Sequence, residues 1–184
     1  MGRYSELFRL QPDPFDNSTP AVHLRVCLFR NVVNAADLRK LLAEGKLQCS
    51  LIRAEMILEV FQLLAAANKA IYCQARGKLS TKNVHSEIVY ALSPTKNITE
   101  SLITFGIQDD SQDILVAIID DVKGDKLTEV GKKIKGRPSP LSQMQAIANY
   151  DLVKHVYHVK EPELNKATIV DAIVSRIVAK DYVS

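Results

Sequence analysis

The residues that could carry chemistry are four histidines, three cysteines and a run of five aspartates, and their spacing decides what each could do. Asp109, Asp110, Asp113, Asp120 and Asp121 flank an apolar stretch with no base between them. With His85 they would suit a metal-dependent enzyme acting on nucleotides. The plainer reading is that these carboxylates solvate the two ends of a buried strand, where Asp is ordinarily found. His155 and His158 stand three residues apart and could share a helix face, but a pair falls short of the three or four ligands of a metal centre. Cys27, Cys49 and Cys73 are odd in number and contain no C-x-x-C pair, which argues against a zinc site or a disulfide framework and for a reducing compartment. The pairs Gly45-Lys46, Gly77-Lys78 and Gly131-Lys132 lack the upstream glycine and the following Ser or Thr of a phosphate loop. No G-x-S-x-G elbow is present. These spacings offer no recognisable nucleophile, phosphate cradle or metal set, and no metal or cofactor is expected.

Charge is more informative by position than in total. The net charge is only +3, yet from Val60 through Ser86 there is no Asp or Glu, while Lys69, Arg76, Lys78 and Lys82 add positive charge beside His85. From Lys123 to Arg137 six bases face Asp125 and Glu129, a net of +4. Such patches attract phosphate backbones without any catalytic group, or else are solvated helix ends. Asn68 interrupts an apolar series of Ile57, Phe61, Leu64, Ile71 and Ala75, so its amide must find partners inside the fold or line a pocket. Tyr72 and Tyr90 are candidate stacking groups for a nucleic-acid base, with core packing as the plainer role.

The elements that must position these residues follow from periodicity and punctuation. Residues 22–29 alternate as a strand, and Tyr4 to Leu10 is a shorter candidate before it. Between them three prolines with Asp13, Asp16, Asn17 and Ser18 predict a loop insertion over 11–21. Asn34 as a cap and Gly45 as a stop bound a short helix, and a longer helix is predicted from about Glu55 to Arg76. Residues 85–92 read as a second core strand ended by Ser93-Pro94. Asn97 with Glu100 opens a helix that Gly106 closes. The run Ile114 to Ile119 has the pattern of a strand buried on both faces, central in its sheet. The glycines and prolines of 123–140 predict a basic, irregular segment with one or two short helical pieces at best. A helical stretch near 150–157 precedes an amphipathic C-terminal helix from about Pro162 to Lys180. No apolar run approaches the roughly 20 residues of a membrane span, so the chain is expected to be soluble and intracellular. Hydrophobic residues make up 47% of 184, enough for one core, and no linker divides 1–184 into more than a single α/β domain.

Across Leu51-Ile52, Gln62-Leu63, Ala66-Ala67-Asn68-Lys69-Ala70, Gly77-Lys78, Thr81, Glu87-Ile88, Leu92-Ser93-Pro94, Asn97-Ile98, Glu100 and Phe105-Gly106-Ile107, the sequence resembles the TPRKB family. That family is the kinase-binding subunit of the KEOPS/EKC complex. Phe29 with Val32, Asn34-Ala35, Asp37-Leu38-Arg39, Tyr157 and the apolar C-terminal helix extend the likeness to most of the chain. The connector 11–20 is longer than the usual turn, and 123–140 matches only in general character. The resemblance implies an α+β domain, a small, mostly antiparallel sheet surrounded by helices, with no active site of its own. It implies docking on the N-terminal lobe of a small Rio-type, PRPK-like atypical kinase. It also implies a part in recruiting tRNA, through its 3′ CCA end, for threonylcarbamoylation of the adenosine beside the anticodon. A cytoplasmic and nuclear location goes with it.

On this reading Asn68, Lys69, Lys78 and Thr81 are the candidate tRNA contacts, with Ser93 and Asn97 as neighbours. Ile98 and Leu102, with Val170, Val174 and Ile177 on the outer face of the last helix, are the candidate kinase contacts. Two other classes stand beside it: a protein-interaction domain without RNA binding, and the metal-dependent nucleotide enzyme built on the Asp cluster.

Overall fold

Residues 4–11 and 21–182 are described by the computed structural model. Five strands form one antiparallel sheet: β1 (Ser5–Leu10), β2 (Val22–Arg30), β3 (Ser50–Arg53), β4 (Ile114–Ile119) and β5 (Arg137–Ser139). The order is β1-β2-β4-β3, with β5 pairing the last residues of β2, just beyond the start of β1. All six residues of β4 are buried, because helices cover both faces of the sheet. Leu115, Ala117 and Ile119 enter one core with Leu24, Val26 and Leu28 of β2. Ile114, Val116 and Ile118 enter the other with Cys27 and Phe29. The predicted central strand and its two apolar faces are thus found as read.

The thinner layer contains α1 (Ala35–Ala43) and α5 (Asp125–Lys133); the thicker one contains α2 (Val60–Ala75), α3 (Val84–Leu92), α6 (Met144–Ile147), α7 (Tyr150–Val156) and α9 (Ile169–Ala179). The further helices are α4 (Ile98–Phe105), packed on α3, and the short α8 (Glu161–Leu164). No helix of the described residues is long and apolar enough to cross a membrane.

Several expectations need correction. Residues 85–92 are not a strand but helix α3. Asn83 Oδ1 accepts from Ser86 N–H to start it, Ser93-Pro94 ends it, and every residue from Glu87 to Leu92 is buried among α2, α4 and β3. A helix wrapped on all sides carries no amphipathic period and mimics a buried strand. Helix α2 starts at Val60, not Glu55, because Gln62 turns back: its Oε1 accepts from Leu58 N–H and its Nε2 donates to Met56 O. The segment 123–140 holds one short helix, as allowed for, and also a strand that was not expected. The Asp121 carboxylate accepts from Lys126 N–H (3.1 Å) and Leu127 N–H (2.9 Å), starting α5, and β5 follows. The single helix expected over 162–180 is α8 and α9, separated where Thr168 and Asp171 form a capping box. Asn34 precedes α1 but does not cap it; its Nδ2 donates to Lys133 O and its Oδ1 accepts from Lys135 N–H, stitching α1 to the end of α5. Of the expected loop insertion, residues 12–20 lie outside the described residues.

Candidate functional site

Helix α4 is held by a chain of short-range hydrogen bonds. Ser93 Oγ accepts from Thr95 N–H, Thr95 Oγ1 accepts from Asn97 N–H, and Asn97 Oδ1 accepts from Glu100 N–H. Ser101 Oγ donates to Asn97 O at 2.7 Å and lies buried with Phe105. That inward face turns Ile98, Leu102 and Ile103 outward, at 38%, 37% and 57% exposure. Ile103 was missed in the sequence; it lies one residue beyond Leu102 and falls off the simple i, i+4 row. At the end of α4 a Cβ on Gly106 would sit 2.4 Å from the Leu102 carbonyl oxygen, so only glycine lets the chain turn and bridge to Ile52.

This turn closes a groove of about 820 Å³ between α4, β3, the end of α1 and the turn before α3. Its apolar lining includes Leu42, Leu47, Leu51, Val89 and Ile107 with the α4 residues. Thr81, a candidate tRNA contact, lines the same groove as Ile98 and Leu102. Glu87, 3% exposed, fixes it: Oε2 accepts from Thr81 N–H (2.8 Å) and Oγ1–H (2.7 Å). Arg39 and Lys82 line the groove, and among the described residues no Asp, Glu, Phe or Tyr does. His85 also lines it, but burial and then the Lys126 charge push it down to about 4, so it is neutral at pH 7.

The six candidate tRNA contacts do not form one cluster. Ser93 and Asn97 build the turn into α4, and Ser93 is buried. Asn68 Oδ1 accepts from Gln11 N–H at 2.9 Å, so its amide is satisfied inside the fold. Lys69 Nζ donates to Ile177 O (2.9 Å) and pairs with Asp181 (3.0 Å). Lys78 and Lys82 are exposed, with no ion pair among the described residues. Near Lys78, the Arg76 guanidinium stacks 4.1 Å over the half-buried Tyr72 ring. Tyr90 is no stacking platform, since Lys180 Nζ covers its ring at 3.2 Å from the centroid. On α9, Val170 and Val174 are half-buried, whereas Ile177 is fully buried in the core. The expectation of Ile177 on the outer face is therefore corrected: its turn of helix faces α2, and Val178 is the exposed residue there.

Four of the five aspartates have structural partners. Asp109 pairs with Arg39 (2.6 Å), Asp113 with Arg30 (3.3 Å), and Asp120 Oδ1 accepts from His23 N–H. Asp121 starts α5 and faces Arg25 at 3.6 Å. Among the described residues no three His, Cys, Asp or Glu side chains are placed to hold a metal ion. Burial pushes the Cys27 and Cys49 thiols up to about 11 and about 12, so neither is a thiolate at neutral pH.

An open apolar groove on a mixed α/β scaffold has the character of a binding site. The sequence profile described as kinase binding protein CGI-121 matches residues 29–181, and the chain belongs to that family. It is 32% identical over 155 residues to the EKC/KEOPS complex subunit TPRKB of Danio rerio, covering 84% of this chain and 89% of the relative. It is 37% identical over 138 residues to the EKC/KEOPS complex subunit CGI121 of Yarrowia lipolytica, covering 73% and 78%. The Candida glabrata subunit of the same name is 32% identical over 162 residues, covering 86% and 91%. The resemblance read from residues 51–107 is thereby established as family membership.

Proposed function

We propose that this chain is a non-enzymatic accessory subunit of an EKC/KEOPS complex, seating the complex's small Rio-type, PRPK-like kinase in the α4 groove. The observation that carries this reading is the row Ile98, Leu102 and Ile103, exposed beside an apolar groove in a family described as kinase-binding. Interface centres are depleted in charge and rimmed by polar groups, and this lining has that composition. Val170 and Val174 are secondary candidates, as they do not line the groove. The chain's second task is to help recruit tRNA by its 3′ CCA end for threonylcarbamoylation. The end of α2 and the following turn support it, with Tyr72 and Lys78 in an acid-free stretch. The names of the relatives support the complex; work in the cytoplasm and nucleus is part of the proposal.

Co-purification of the kinase with wild type and with Leu102→Asp tests the docking reading. Leu102 is partly exposed, so the variant folds, and kinase recovery is expected to fall at least about tenfold, as for loss of a central interface anchor. Undiminished recovery overturns the groove as the docking site. Filter binding with intact tRNA and with tRNA lacking its CCA end separates this reading from a protein-interaction module without an RNA role.

A further inference from the structure

The groove is selective in what it excludes. Among the described residues twenty-three line it, and none of these is Asp or Glu. Its formal charge comes from Arg39 on α1 and Lys82 before α3, because His85 is held neutral. Lys82 has no partner among the described residues. Arg39 meets Asp109 through one guanidinium nitrogen, and both side chains are open to solvent, 43% and 69% exposed. Such an exposed pair is weak, and the guanidinium keeps donors for a second acceptor. Among the described residues no Phe, Tyr or Trp lines the groove, so an RNA base would have only the ion-paired Arg39 guanidinium and the half-buried His85 ring to stack on, whereas aliphatic side chains find Leu47, Leu51, Val89 and Ile107.

Resting on the docking reading above, we propose that the groove takes an apolar kinase segment flanked by aspartate or glutamate, whose carboxylates meet Lys82 and Arg39. The aliphatic part supplies the buried contact. The flanking carboxylates fix register and speed encounter, and they act at the rim where charges change association rate and salt dependence. A basic or neutral flank leaves Lys82 without an acceptor, so the groove discriminates among apolar segments by the charge beside them.

The test titrates the purified kinase against wild type, Leu102→Asp, Lys82→Glu and Arg39→Glu, at about 0.1 M and about 1 M salt, where screening shortens from about 10 to about 3 Å. Carbodiimide coupling, which joins an ammonium directly to a carboxylate, is followed by mass spectrometry of the complex. The expected result is affinity about three- to tenfold weaker for each charge reversal, a loss of wild-type affinity at high salt, and a Lys82 link to a kinase Asp or Glu. If Leu102→Asp abolishes binding while both reversals and high salt leave it unchanged, the acidic-flank proposal is overturned and the docking reading survives. If Leu102→Asp binds normally, the docking reading falls, and this proposal with it. Loss of tRNA binding in Lys82→Glu, with kinase binding intact, makes this edge an RNA surface and also overturns the proposal.

Discussion

The ammonium of Lys180 donates to the Tyr90 carbonyl at 2.6 Å and lies over the ring of the same tyrosine. The reason lies four residues on: Pro94 has no N–H, so the Tyr90 carbonyl loses its usual i+4 donor and keeps only Ser93 N–H at 3.2 Å. The end of α9 supplies the missing donor, and Lys180 is 4% exposed as a result. The C-terminal helix is thus fastened to the end of α3, from which the turn into α4 departs.

Burial, with Lys69 nearby, pushes Lys180 down from 10.5 to about 7, against the opposing pull of Asp181 and Glu87. Between those values the unfolded chain holds a proton that the folded chain has released, so this lysine makes stability rise with pH from about 7 toward 10. Lys180→Met removes the titration. Relative to wild type, the variant should be at its most stable near pH 6 and should lose that advantage as pH climbs. Urea midpoints at several pH values give the difference, and a flat difference refutes the account.

Tyr157 does for the Leu92 carbonyl, two residues on, what Lys180 does for that of Tyr90. Its hydroxyl donates to Leu92 O and accepts from Gln62 Nε2 (3.2 Å), and its ring meets Phe105 edge-on at 5.8 Å. Tyr157→Phe keeps the ring contact and orphans one carbonyl in a buried site. The expected loss is about 1–2 kcal/mol, read from chemical denaturation, with kinase binding unchanged at saturating folded protein. Wild-type stability in Tyr157→Phe would show that this bond contributes nothing net.

Where the signal was local, the fold was readable. Alternation marked β1 and β2, the six-residue apolar run marked β4, and Asn97 marked the start of α4. The failures share a cause in long-range packing. Helix α3 is buried all round and lost its period, β3 has four residues, and α2 starts late because Gln62 engages Leu58 and Met56. The site divides the same way. Ile98 and Leu102 follow from the capped, amphipathic α4. Asn68 and Lys69 look free in sequence, but their partners Gln11 and Ile177 stand 57 and 108 residues away, and no local pattern announces them.

Gly106 tests whether the groove depends on the close approach at the end of α4. Its φ of −72° is open to any residue, so backbone conformation does not demand glycine here; the Leu102 oxygen does. Gly106→Ala must push α4 away from the bridge to Ile52. Overpacking of this kind costs about 1–3 kcal/mol. A lower melting temperature and weaker kinase binding are expected together. A variant that melts and binds like wild type removes the steric argument.

Lys69 and Lys78 are close in sequence and differ in what holds them. Lys69 is tied to Ile177 O and Asp181, so Lys69→Met should act first on stability, by about 1 kcal/mol, through the loss of a charge-assisted bond between α2 and α9. Lys78 is exposed, with no ion pair among the described residues, and is the lysine available to a phosphate. Removing one phosphate contact to single-stranded RNA lowers the slope of log affinity against log salt by about 0.7. Lys78→Ala should therefore bind tRNA more weakly and with a shallower slope, at wild-type stability. Filter binding across a salt series, paired with a melt of each variant, gives both readings. An unchanged slope in Lys78→Ala moves the RNA contact off this edge.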